Sequence, residues 1–403
     1  MERQREWRSN SLTQELADRG HEVTRWCSSF HHSTKSISSD GDQVEVVDNY
    51  QQRYLRSSPY RRNVGLGRLL NHSQLALRFR QIAKTLPEPD VIQVSNVPIS
   101  LAHAGVAYAV KRSIPVVVDI RDLWPDVYVD FVPDSLALLR APLLNVLKSC
   151  SFQLKWLVRN ASALTALTDD YLAWALDIAS RSRGPLDSVI PMSHPMPSLQ
   201  AHVSKDRLAT RIGLNDRDVV ATYVGNLGYQ SDFDTLLASA RQLAVEQPQL
   251  KIVIAGTGPR ETELRGKVSD LQNVIFSGWL DGQDLAALLT RSQIGLVIYN
   301  PVQNYLKNIP NKYPEYLAYG LAIVCGLGGK MGQLTNDYGT GVTYQSGNVR
   351  QLTEALIHLT NASVRSRARD AARTLHLESF ESRRIIKHHA DHIELIANLR
   401  TAR

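Results

Sequence analysis

The feature that most constrains the fold of this chain is a regular alternation of short apolar segments with longer segments of helical periodicity. Several short segments, such as residues 115–120 and 251–255, are apolar at consecutive positions. A strand needs this pattern when helices cover both faces of its sheet. The alternation therefore predicts repeated β-α units, parallel sheets and an α/β fold. Strands are predicted at residues 21–25, 44–47, 91–95, 115–120, 163–167, 219–224, 251–255, 274–277, 294–299 and 322–325.

Length, charge and cysteine content narrow the class of protein. A chain of 403 residues with 43% hydrophobic and 21% charged residues is typical of a globular protein with two domains. The net charge of +7 comes from scattered basic residues, whereas nucleic-acid binding usually needs them clustered in a patch or stripe. Three widely spaced cysteines favour a reducing compartment. We therefore expect a cytoplasmic protein that has no nucleic-acid partner and, lacking an apolar run of about 18 residues, no membrane-spanning helix.

A proline-rich stretch at residues 188–200 marks a domain boundary, because prolines interrupt regular secondary structure. The last residues of the chain carry apolar side chains at helical spacing, which predicts a terminal helix. The predicted domains are residues 1–197, residues 198–379 and a terminal helix at residues 380–403.

The N-terminal domain begins in an unusual way. A Rossmann-like domain normally opens with a strand and a glycine-rich turn. This chain opens with charged residues and a helix predicted at residues 9–19, with Gly20 as its C-terminal cap. A strand at residues 20–25 would then correspond to the second strand of such a domain. Either the opening strand is missing from this sequence, or the domain is built without it.

Two glycine-containing turns follow successive predicted strands in the C-terminal domain. Glycines let the backbone approach a phosphate, and the start of the following helix offers free N–H groups. Open α/β sheets bind ligands at this edge. Ordinary β-α turns are the alternative for the glycines. Arg260, at the start of the second helix, could add a cation to the site, but a solvent-exposed arginine is the favoured expectation. The candidate ligand-binding residues are Gly225, Asn226, Leu227, Gly228, Gly256, Gly258 and Arg260.

A polar, proline-containing loop at residues 308–320 leads into a short predicted helix that contains Lys312 and Glu315. A carboxylate can accept two hydrogen bonds from a vicinal diol such as that of ribose, and the lysine ammonium can face a diphosphate. The alternative is that Glu315 only complements the helix dipole.

These motifs, in this order, resemble the C-terminal half of family 4 glycosyltransferases with the GT-B fold. The resemblance is to a branch of bacterial polysaccharide and O-antigen transferases with the pattern I-P-x-K-x-x-E-Y-x-A-x-G. Residues 20–24, G-H-E-V-T, are similar to a segment of the same family. Residues 119–126, D-I-R-D-L-W-P-D, and residues 165–171 resemble two further segments.

The resemblance implies two facing Rossmann-like domains with a cleft between them, and a terminal helix that returns to the N-terminal domain. It also implies a nucleoside-diphosphate sugar as donor, with a UDP-sugar favoured, and net retention at the anomeric carbon. No metal or other cofactor is expected, because basic side chains and helix termini would stabilise the leaving diphosphate. The expected acceptor is a glycan or a lipid-linked sugar.

Three departures from the family pattern affect the expected site. Lys307 stands where relatives have a glutamate that contacts the donor sugar, and Asn226 and Asp232 stand near their Arg and Lys. Lys312 is therefore expected to offset the diphosphate charge. Asp122 or Arg121 takes the place of a histidine in the acceptor cleft. Asp122 either orients or deprotonates an acceptor hydroxyl, or caps a helix or pairs with Arg121.

The leading hypothesis is a retaining glycosyltransferase in surface polysaccharide synthesis, with Asp122, Arg121 and Lys312 as catalytic candidates. A GT-B sugar-nucleotide epimerase and a non-catalytic sugar-nucleotide-binding subunit are the alternatives. Residues 131–161 carry leucines among basic residues, a pattern that suits either an anionic membrane surface or packing on the N-terminal sheet.

Overall fold

The computed structural model describes residues 8–32, 35–38, 42–61, 65–127, 138, 140–197 and 199–401, without the side chains of residues 140–146, 199–204 and 401. Contacts between Cα atoms divide the chain into two compact units. The C-terminal unit is Met192–Arg383, and the N-terminal unit consists of residues 8–191 and 384–401. The division lies near the domain boundaries expected from the sequence, at slightly different residues.

The N-terminal unit consists of helices around parallel strands, with two antiparallel pairs of consecutive strands. Its strands are β1 (Thr24–Ser28), β2 (Phe30–His31), β3 (Ser36–Ile37), β4 (Gln43–Val47), β5 (Tyr50–Leu55), β6 (Ile92–Ser95), β7 (Val116–Ile120), β8 (Ala163–Ala166) and β9 (Ser188–Val189). Its helices are α1 (Arg8–Asp18), α2 (Leu66–Ile82), α3 (Ile99–Lys111), α4 (Arg140–Arg159), α5 (Asp169–Ala179) and the last helix of the chain, α15 (Ser382–Thr401).

The strands of the N-terminal unit form two main sheets. One has the order β1-β5-β4, with β1 parallel and β4 antiparallel to β5. The other has the order β6-β7-β8-β9 and is parallel throughout. β7 and β8 are buried at every position, whereas β1 and β6 are only half-buried. Among the residues that the structure describes, β1 and β6 each pair with a neighbouring strand on one side only.

Two details of this unit differ from the sequence-based prediction. The strand expected at residues 21–25 begins later, as β1, because the chain first leaves α1 through the turn at Gly20. β5 was not predicted, because its central residues are Gln51, Gln52 and Arg53 and the prediction relied on apolar runs. Half-burial of these residues explains why polar side chains are tolerated there.

The terminal helix α15 packs on the parallel sheet of the N-terminal unit. Ala390, Ile393 and Ile396 form one buried cluster with Val117 of β7 and Ala163 of β8. Leu12 of α1 belongs to the same cluster. Ile393 and Ile396, two of the apolar positions that predicted this helix, therefore face the sheet.

The C-terminal unit is a single six-stranded parallel sheet of order β12-β11-β10-β13-β14-β15 with helices around it. Its strands are β10 (Val219–Val224), β11 (Leu250–Ala255), β12 (Val274–Gly278), β13 (Ile294–Val297), β14 (Ala322–Cys325) and β15 (Gly341–Thr343). Its helices are α6 (Leu199–Arg211), α7 (Phe233–Glu246), α8 (Glu261–Lys267), α9 (Gly282–Arg291), α10 (Gln303–Leu306), α11 (Lys312–Ala318), α12 (Lys330–Asp337), α13 (Val349–His358) and α14 (Ala362–Ser379).

Both faces of this sheet are covered, as the apolar strands require. Alternate residues of the central strands enter two buried clusters, for example Val253 in one and Ile252 in the other. The strands predicted at residues 219–224, 251–255, 274–277 and 322–325 are confirmed, while β13 ends earlier than expected and β15 was not predicted. An α/β fold with parallel sheets is thus confirmed in this unit.

The leucine-rich segment that suggested a membrane surface is partly accounted for by packing. Leu147, Leu154 and Leu157 of α4 are buried, so these leucines pack inside the N-terminal unit and do not form an exposed apolar face. Phe152 of the same helix is exposed. Residues 131–137 and 139, together with the side chains of residues 140–146, lie outside what the structure describes.

Candidate functional site

The predicted donor-binding turns lie at the edge of the sheet where the strand order reverses. β10 pairs with β11 on one side and with β13 on the other. Successive strands are therefore added on one side of β10 up to β12, and on its other side from β13 onward. In open α/β sheets this reversal opens a crevice at the carboxyl ends of the strands. Val224 and Ala255 are partners in the β10–β11 register, and the two glycine turns therefore start side by side.

The two turns are bonded directly to each other. The Gly225 N–H donates to the Ala255 carbonyl and the Leu227 N–H to the Thr257 carbonyl, both at 3.0 Å. Gly256 has a φ of +135°, and a Cβ there would lie 1.9 Å from the Gly225 carbonyl oxygen. A Cβ at Gly258 would lie 2.4 Å from Asn226 Oδ1. Contact between the two turns is therefore sufficient to require glycine at both positions.

Helix α11 is anchored to the end of β10. The Val224 N–H donates to the Tyr316 hydroxyl at 2.8 Å in a buried hydrogen bond. The Tyr316 ring lies over Gly295 of β13, where a Cβ would come within 2.5 Å of the ring. These contacts hold the first turn of α11, which carries Lys312 and Glu315, beside the first glycine turn.

The Lys312 amine is buried beside the first glycine turn. Only 7% of the residue is exposed, and its Nζ lies 3.9 Å from the ring centre of Tyr223 and 4.4 Å from that of Tyr299. A Cβ on Gly225 would lie 3.4 Å from the same Nζ. Burial lowers the pKa of Lys312 from 10.5 to about 7, although the nearby Glu315 carboxylate acts to raise it. Cation–π contacts favour the charged form as well.

Glu315 faces a histidine that sequence reasoning missed. Its Oε1 lies 3.5 Å from His194 Nε2, and its side chain is 12% exposed. The backbone N–H of His194 donates to the Phe380 carbonyl at 3.1 Å. The backbone carbonyl of His194 is hydrogen-bonded to His376 Nε2 at 2.8 Å. His194 lies in the proline-rich stretch, whose composition indicated only a boundary, so no local signal pointed to it.

Arg260 does not join the cluster around Lys312. Its guanidinium bonds Glu263 at 2.7 Å and Asp234 at 3.0 Å, and these hydrogen bonds raise its pKa despite the opposing effect of burial. The residue is buried, so the expectation of a solvent-exposed arginine was wrong. Its charge is already matched by two carboxylates.

The remaining turn residues are also engaged within the protein. Leu227 has a fully buried side chain, its N–H is bonded to Thr257, and its carbonyl accepts from the Arg260 N–H. The Asn226 carbonyl accepts from the Tyr223 hydroxyl at 3.0 Å. A Cβ on Gly228 would overlap the Gln230 side chain. Leu227 therefore contributes to folding of the turn, and its own backbone groups are not available to a ligand.

The start of α7 is capped by a carboxylate. Asp232 Oδ1 accepts from the Thr235 N–H at 3.2 Å. Asp232 Oδ2 accepts from the Gly347 N–H at 2.8 Å and from the Ser346 hydroxyl at 3.1 Å. The free N–H groups expected at this helix start are thus partly satisfied by Asp232.

In the N-terminal unit, Arg121 belongs to a buried polar cluster at the carboxyl end of β7. The Asp119 carboxylate accepts from Arg121 Nε at 3.0 Å, from Arg8 Nε and Nη2 at 3.1 Å, and from the Thr165 hydroxyl at 2.8 Å. Burial would raise the pKa of Asp119, but Arg8 and then Arg121 outweigh it and hold the pKa far below its ordinary value. Burial, and then Arg8, lower the pKa of the neighbouring His389 to about 3.

Asp122 follows this cluster in a half-buried bend. Its carbonyl accepts from Asn96 Nδ2 at 2.7 Å, and the Asn96 side chain also accepts from the Arg121 N–H at 3.0 Å. The pairing of Arg121 with Asp122 that was considered as an alternative is not the main contact, because the guanidinium bonds Asp119. The charged Asp119 inside the apolar run V-V-V-D-I was the one sequence signal for this cluster.

A second feature of the N-terminal unit is a cavity of about 590 Å³ at the carboxyl ends of β1 and β5. Its wall combines polar side chains with the apolar Ile37, Pro59 and Leu77. The lining includes Ser29, Arg56, Ser57, Gln74 and Arg78.

Family models match both halves of the chain. A model described as "Glycosyl transferase 4-like domain" matches residues 6–185, and one described as "Glycosyl transferases group 1" matches residues 218–362. Together these matches span most of the sequence, and the chain belongs to this family of GT-B glycosyltransferases.

A curated relative and two solved structures illustrate the similarity. The relative is the GDP-mannose-dependent monoacylated alpha-(1-6)-phosphatidylinositol monomannoside mannosyltransferase of Corynebacterium glutamicum, 28% identical over 180 residues. That match covers 43% of this chain and 47% of the relative, or about half its length. Sucrose-phosphate synthase (tll1590) from Thermosynechococcus elongatus superposes with a TM-score of 0.72 at 16% identity, covering 98% of this chain and 93% of the other. Anabaena Alr3699/HepE in complex with UDP-glucose has a TM-score of 0.60 at 15% identity, covering 87% and 86%.

Proposed function

We propose that this chain is a retaining glycosyltransferase that moves a sugar from a nucleoside-diphosphate sugar to a glycan or glycolipid acceptor in surface polysaccharide synthesis. The observation that carries the proposal is the position of Lys312 and Glu315. A buried tyrosine hydroxyl fixes their helix to the end of β10, at the reversal point of the sheet. An ammonium and a carboxylate side by side suit a diphosphate and a ribose diol, respectively.

The donor is proposed to be a UDP-sugar, bound without a metal ion. Uridine is favoured by the UDP-glucose complex of Anabaena Alr3699/HepE, whereas the mannosyltransferase relative is described as GDP-mannose-dependent. A thermal-shift panel of UDP- and GDP-sugars tests the base directly, since a ligand that binds only the folded state raises the melting temperature. Repeating it with a chelator tests the metal-free part of the proposal.

Replacing Glu315 by Gln tests the site. Loss of the charged hydrogen-bond partner should weaken donor binding by about 1–3 kcal/mol. Glu261→Gln on α8 is a control that removes the same charge outside the cluster, and it should leave donor affinity unchanged. Equal donor affinity in Glu315→Gln and the parent would refute the assignment.

The acceptor side is proposed to lie in the N-terminal unit, with Asp122 acting on the acceptor hydroxyl and Arg121 beside it. The cavity at the ends of β1 and β5 supports an acceptor site in this unit, since it offers hydroxyl, amide and guanidinium groups to a sugar, but Asp122 and Arg121 are not among its lining residues. Asp122→Asn should lower turnover while leaving donor affinity intact, because the group acts only on the acceptor.

A non-catalytic sugar-nucleotide-binding subunit is a second candidate. It is favoured by the departures from the family pattern at Lys307, Asn226 and Asp232. Asp232 caps a helix near a position where relatives carry a cation, and Arg260, which could replace that cation, is paired with two carboxylates. Assaying donor breakdown with and without acceptor separates the candidates. Turnover only with acceptor supports a transferase, turnover without acceptor indicates the epimerase alternative, and binding without turnover supports the subunit.

We also propose that the protein works in the cytoplasm, on the inner face of an anionic membrane. None of the helices in the described part of the chain combines the length and apolar character needed to cross a bilayer. Surface binding is supported by α2, which has four exposed leucines, Leu66, Leu69, Leu70 and Leu77. An apolar helix face with basic residues nearby suits a lipid interface.

Co-sedimentation with anionic liposomes tests this membrane proposal. Leu66→Ser with Leu70→Ser should reduce binding, whereas Val245→Ser on α7 is the control for an exposed apolar residue elsewhere. Binding should weaken with salt if basic residues contribute. No sedimentation at low salt would end the membrane proposal without affecting the proposed activity.

A further inference from the structure

A basic cavity lies on the C-terminal unit at the edge of the sheet opposite to the glycine turns. Its volume is about 280 Å³, and all its lining residues belong to α14. It adjoins Gly320, which precedes the amino end of β14, whereas the glycine turns follow the carboxyl ends of β10 and β11. The cavity is therefore separate from the candidate donor site. Its lining residues are Ala362, Arg365, Ser366, Arg369, Asp370 and Arg373.

Three arginines repeat at four-residue spacing along the cavity. Arg365, Arg369 and Arg373 occupy one face of α14, because residues four apart are neighbours on a helix. Asp370 is the one acidic residue of the lining, and it pairs with Arg373 at 3.2 Å. Burial lowers the pKa of Arg369, and the charges of Arg373 and Arg365 lower it further. Like charges are thus held together here with too few carboxylates to balance them.

Backbone carbonyls fix two of the guanidinium groups. Arg365 Nη1 donates to the carbonyls of Leu359 and Thr360 at 2.7 and 2.8 Å. Arg369 Nε donates to the Gly320 carbonyl at 2.7 Å. Within the described parts of the chain, the other N–H groups of these two side chains have no hydrogen-bond acceptor. The carbonyls orient the guanidinium groups without neutralising them.

We propose that this cavity binds a phosphate-bearing anion, supplied either as free phosphate or diphosphate or as the headgroup of a phospholipid. Arginine presents several N–H donors in one plane, which suits bidentate contact with phosphate oxygens. The cavity volume is close to the lower end of the range for small-molecule sites, about 300 Å³. An anion there relieves the repulsion among the three arginines, and the proposal does not depend on the glycosyltransferase activity.

Inorganic pyrophosphate is the first probe. Its binding is compared in two variants that each lose one positive charge. Arg373→Gln removes a cavity arginine, and Arg367→Gln removes an exposed arginine on the same helix that does not line the cavity. Isothermal titration should show binding weakened about fivefold or more by Arg373→Gln and unchanged by Arg367→Gln. Equal affinity in both variants would overturn the proposal.

Chemical protection makes the result independent of variant folding and of pyrophosphate bound at the donor site. Phenylglyoxal modification of the parent protein, followed by peptide mass spectrometry, should be slowed by pyrophosphate at Arg365, Arg369 and Arg373 but not at Arg367. Vesicles of phosphatidylglycerol, with phosphatidylcholine as control, test the lipid source in the same way. Protection by pyrophosphate alone assigns a free anion, and protection by the anionic vesicles alone assigns a headgroup. Protection by neither probe would overturn the proposal.

Discussion

Lys312 should change its protonation state when the donor binds. Its ammonium is buried between Tyr223 and Tyr299, and burial lowers its pKa from 10.5 to about 7. At pH 8 a group with this pKa is about one-tenth protonated. A diphosphate beside the nitrogen favours the charged form and returns the pKa toward its ordinary value. Binding at pH 8 should therefore take up about 0.9 proton per ligand, and binding at pH 6 only about 0.1.

Calorimetry in two buffers measures this uptake. The enthalpy of donor or nucleoside-diphosphate binding is measured in buffers of different ionisation enthalpy, and the difference gives the number of protons taken up. Lys312→Met should remove the uptake at pH 8. Lys251→Met, at the amino end of β11, is a matched control and should retain it.

The same burial predicts how stability depends on pH. The pKa of Lys312 is lower in the folded than in the unfolded protein, so between about pH 7 and 10.5 the unfolded state binds more protons. Stability should therefore rise with pH in this window, by at most about 1.4 kcal/mol per pH unit. Lys312→Met should lack this rise and be more stable than the parent near pH 6, by at most about 5 kcal/mol.

The calorimetric experiment decides the role of Lys312. Absence of proton uptake in the parent at pH 8, or equal uptake in Lys312→Met, would refute the role of Lys312 beside the diphosphate.

Three further substitutions test the structural roles described above. Asp119→Asn leaves Arg8 and Arg121 without their counter-ion and should lower the free energy of unfolding in urea by about 3–5 kcal/mol. The parent, but not the variant, should lose this stability as the pH falls below the ordinary carboxyl range. Gly256→Ala should destabilise by about 1–3 kcal/mol, whereas Gly266→Ala, which meets no atom within 4 Å, should not destabilise. Arg260→Gln should keep donor affinity within about twofold and cost about 1 kcal/mol of stability; a large loss of affinity would return the cation role to Arg260.

The features that could be predicted from the sequence are those with a local signal. The strands of the C-terminal unit are predictable because burial on both faces requires consecutive apolar residues, as in β10 and β11. Lys312 and Glu315 are predictable because they lie close together in one polar loop. Their burial and their place beside Gly225 depend on Tyr316 reaching β10, which spacing along the chain does not reveal.

The features that escaped prediction depend on residues far apart in the chain. Asp119 pairs with Arg8, and the ring of His389 lies in the same cluster, although these residues come from opposite ends of the sequence. His194 reaches Glu315 from a stretch that looked like a linker. Arg260 was expected to be exposed because the prediction considered only its own helix, whereas its partner Asp234 lies on α7.

The charge distribution around the first glycine turn explains why Lys312 carries so much of the proposed mechanism. Asp232 places a carboxylate at the start of α7 and bonds the Thr235 N–H, which an anion would otherwise use. A diphosphate close to Asp232 would face a like charge, and Arg260 offers no compensation because two carboxylates already hold it. Lys312 lies beside Gly225, where a Cβ would come 3.4 Å from its Nζ. The diphosphate is therefore expected to lie beside Lys312 on α11. Burial favours the neutral amine of this lysine, and the amine takes up a proton to meet the diphosphate charge.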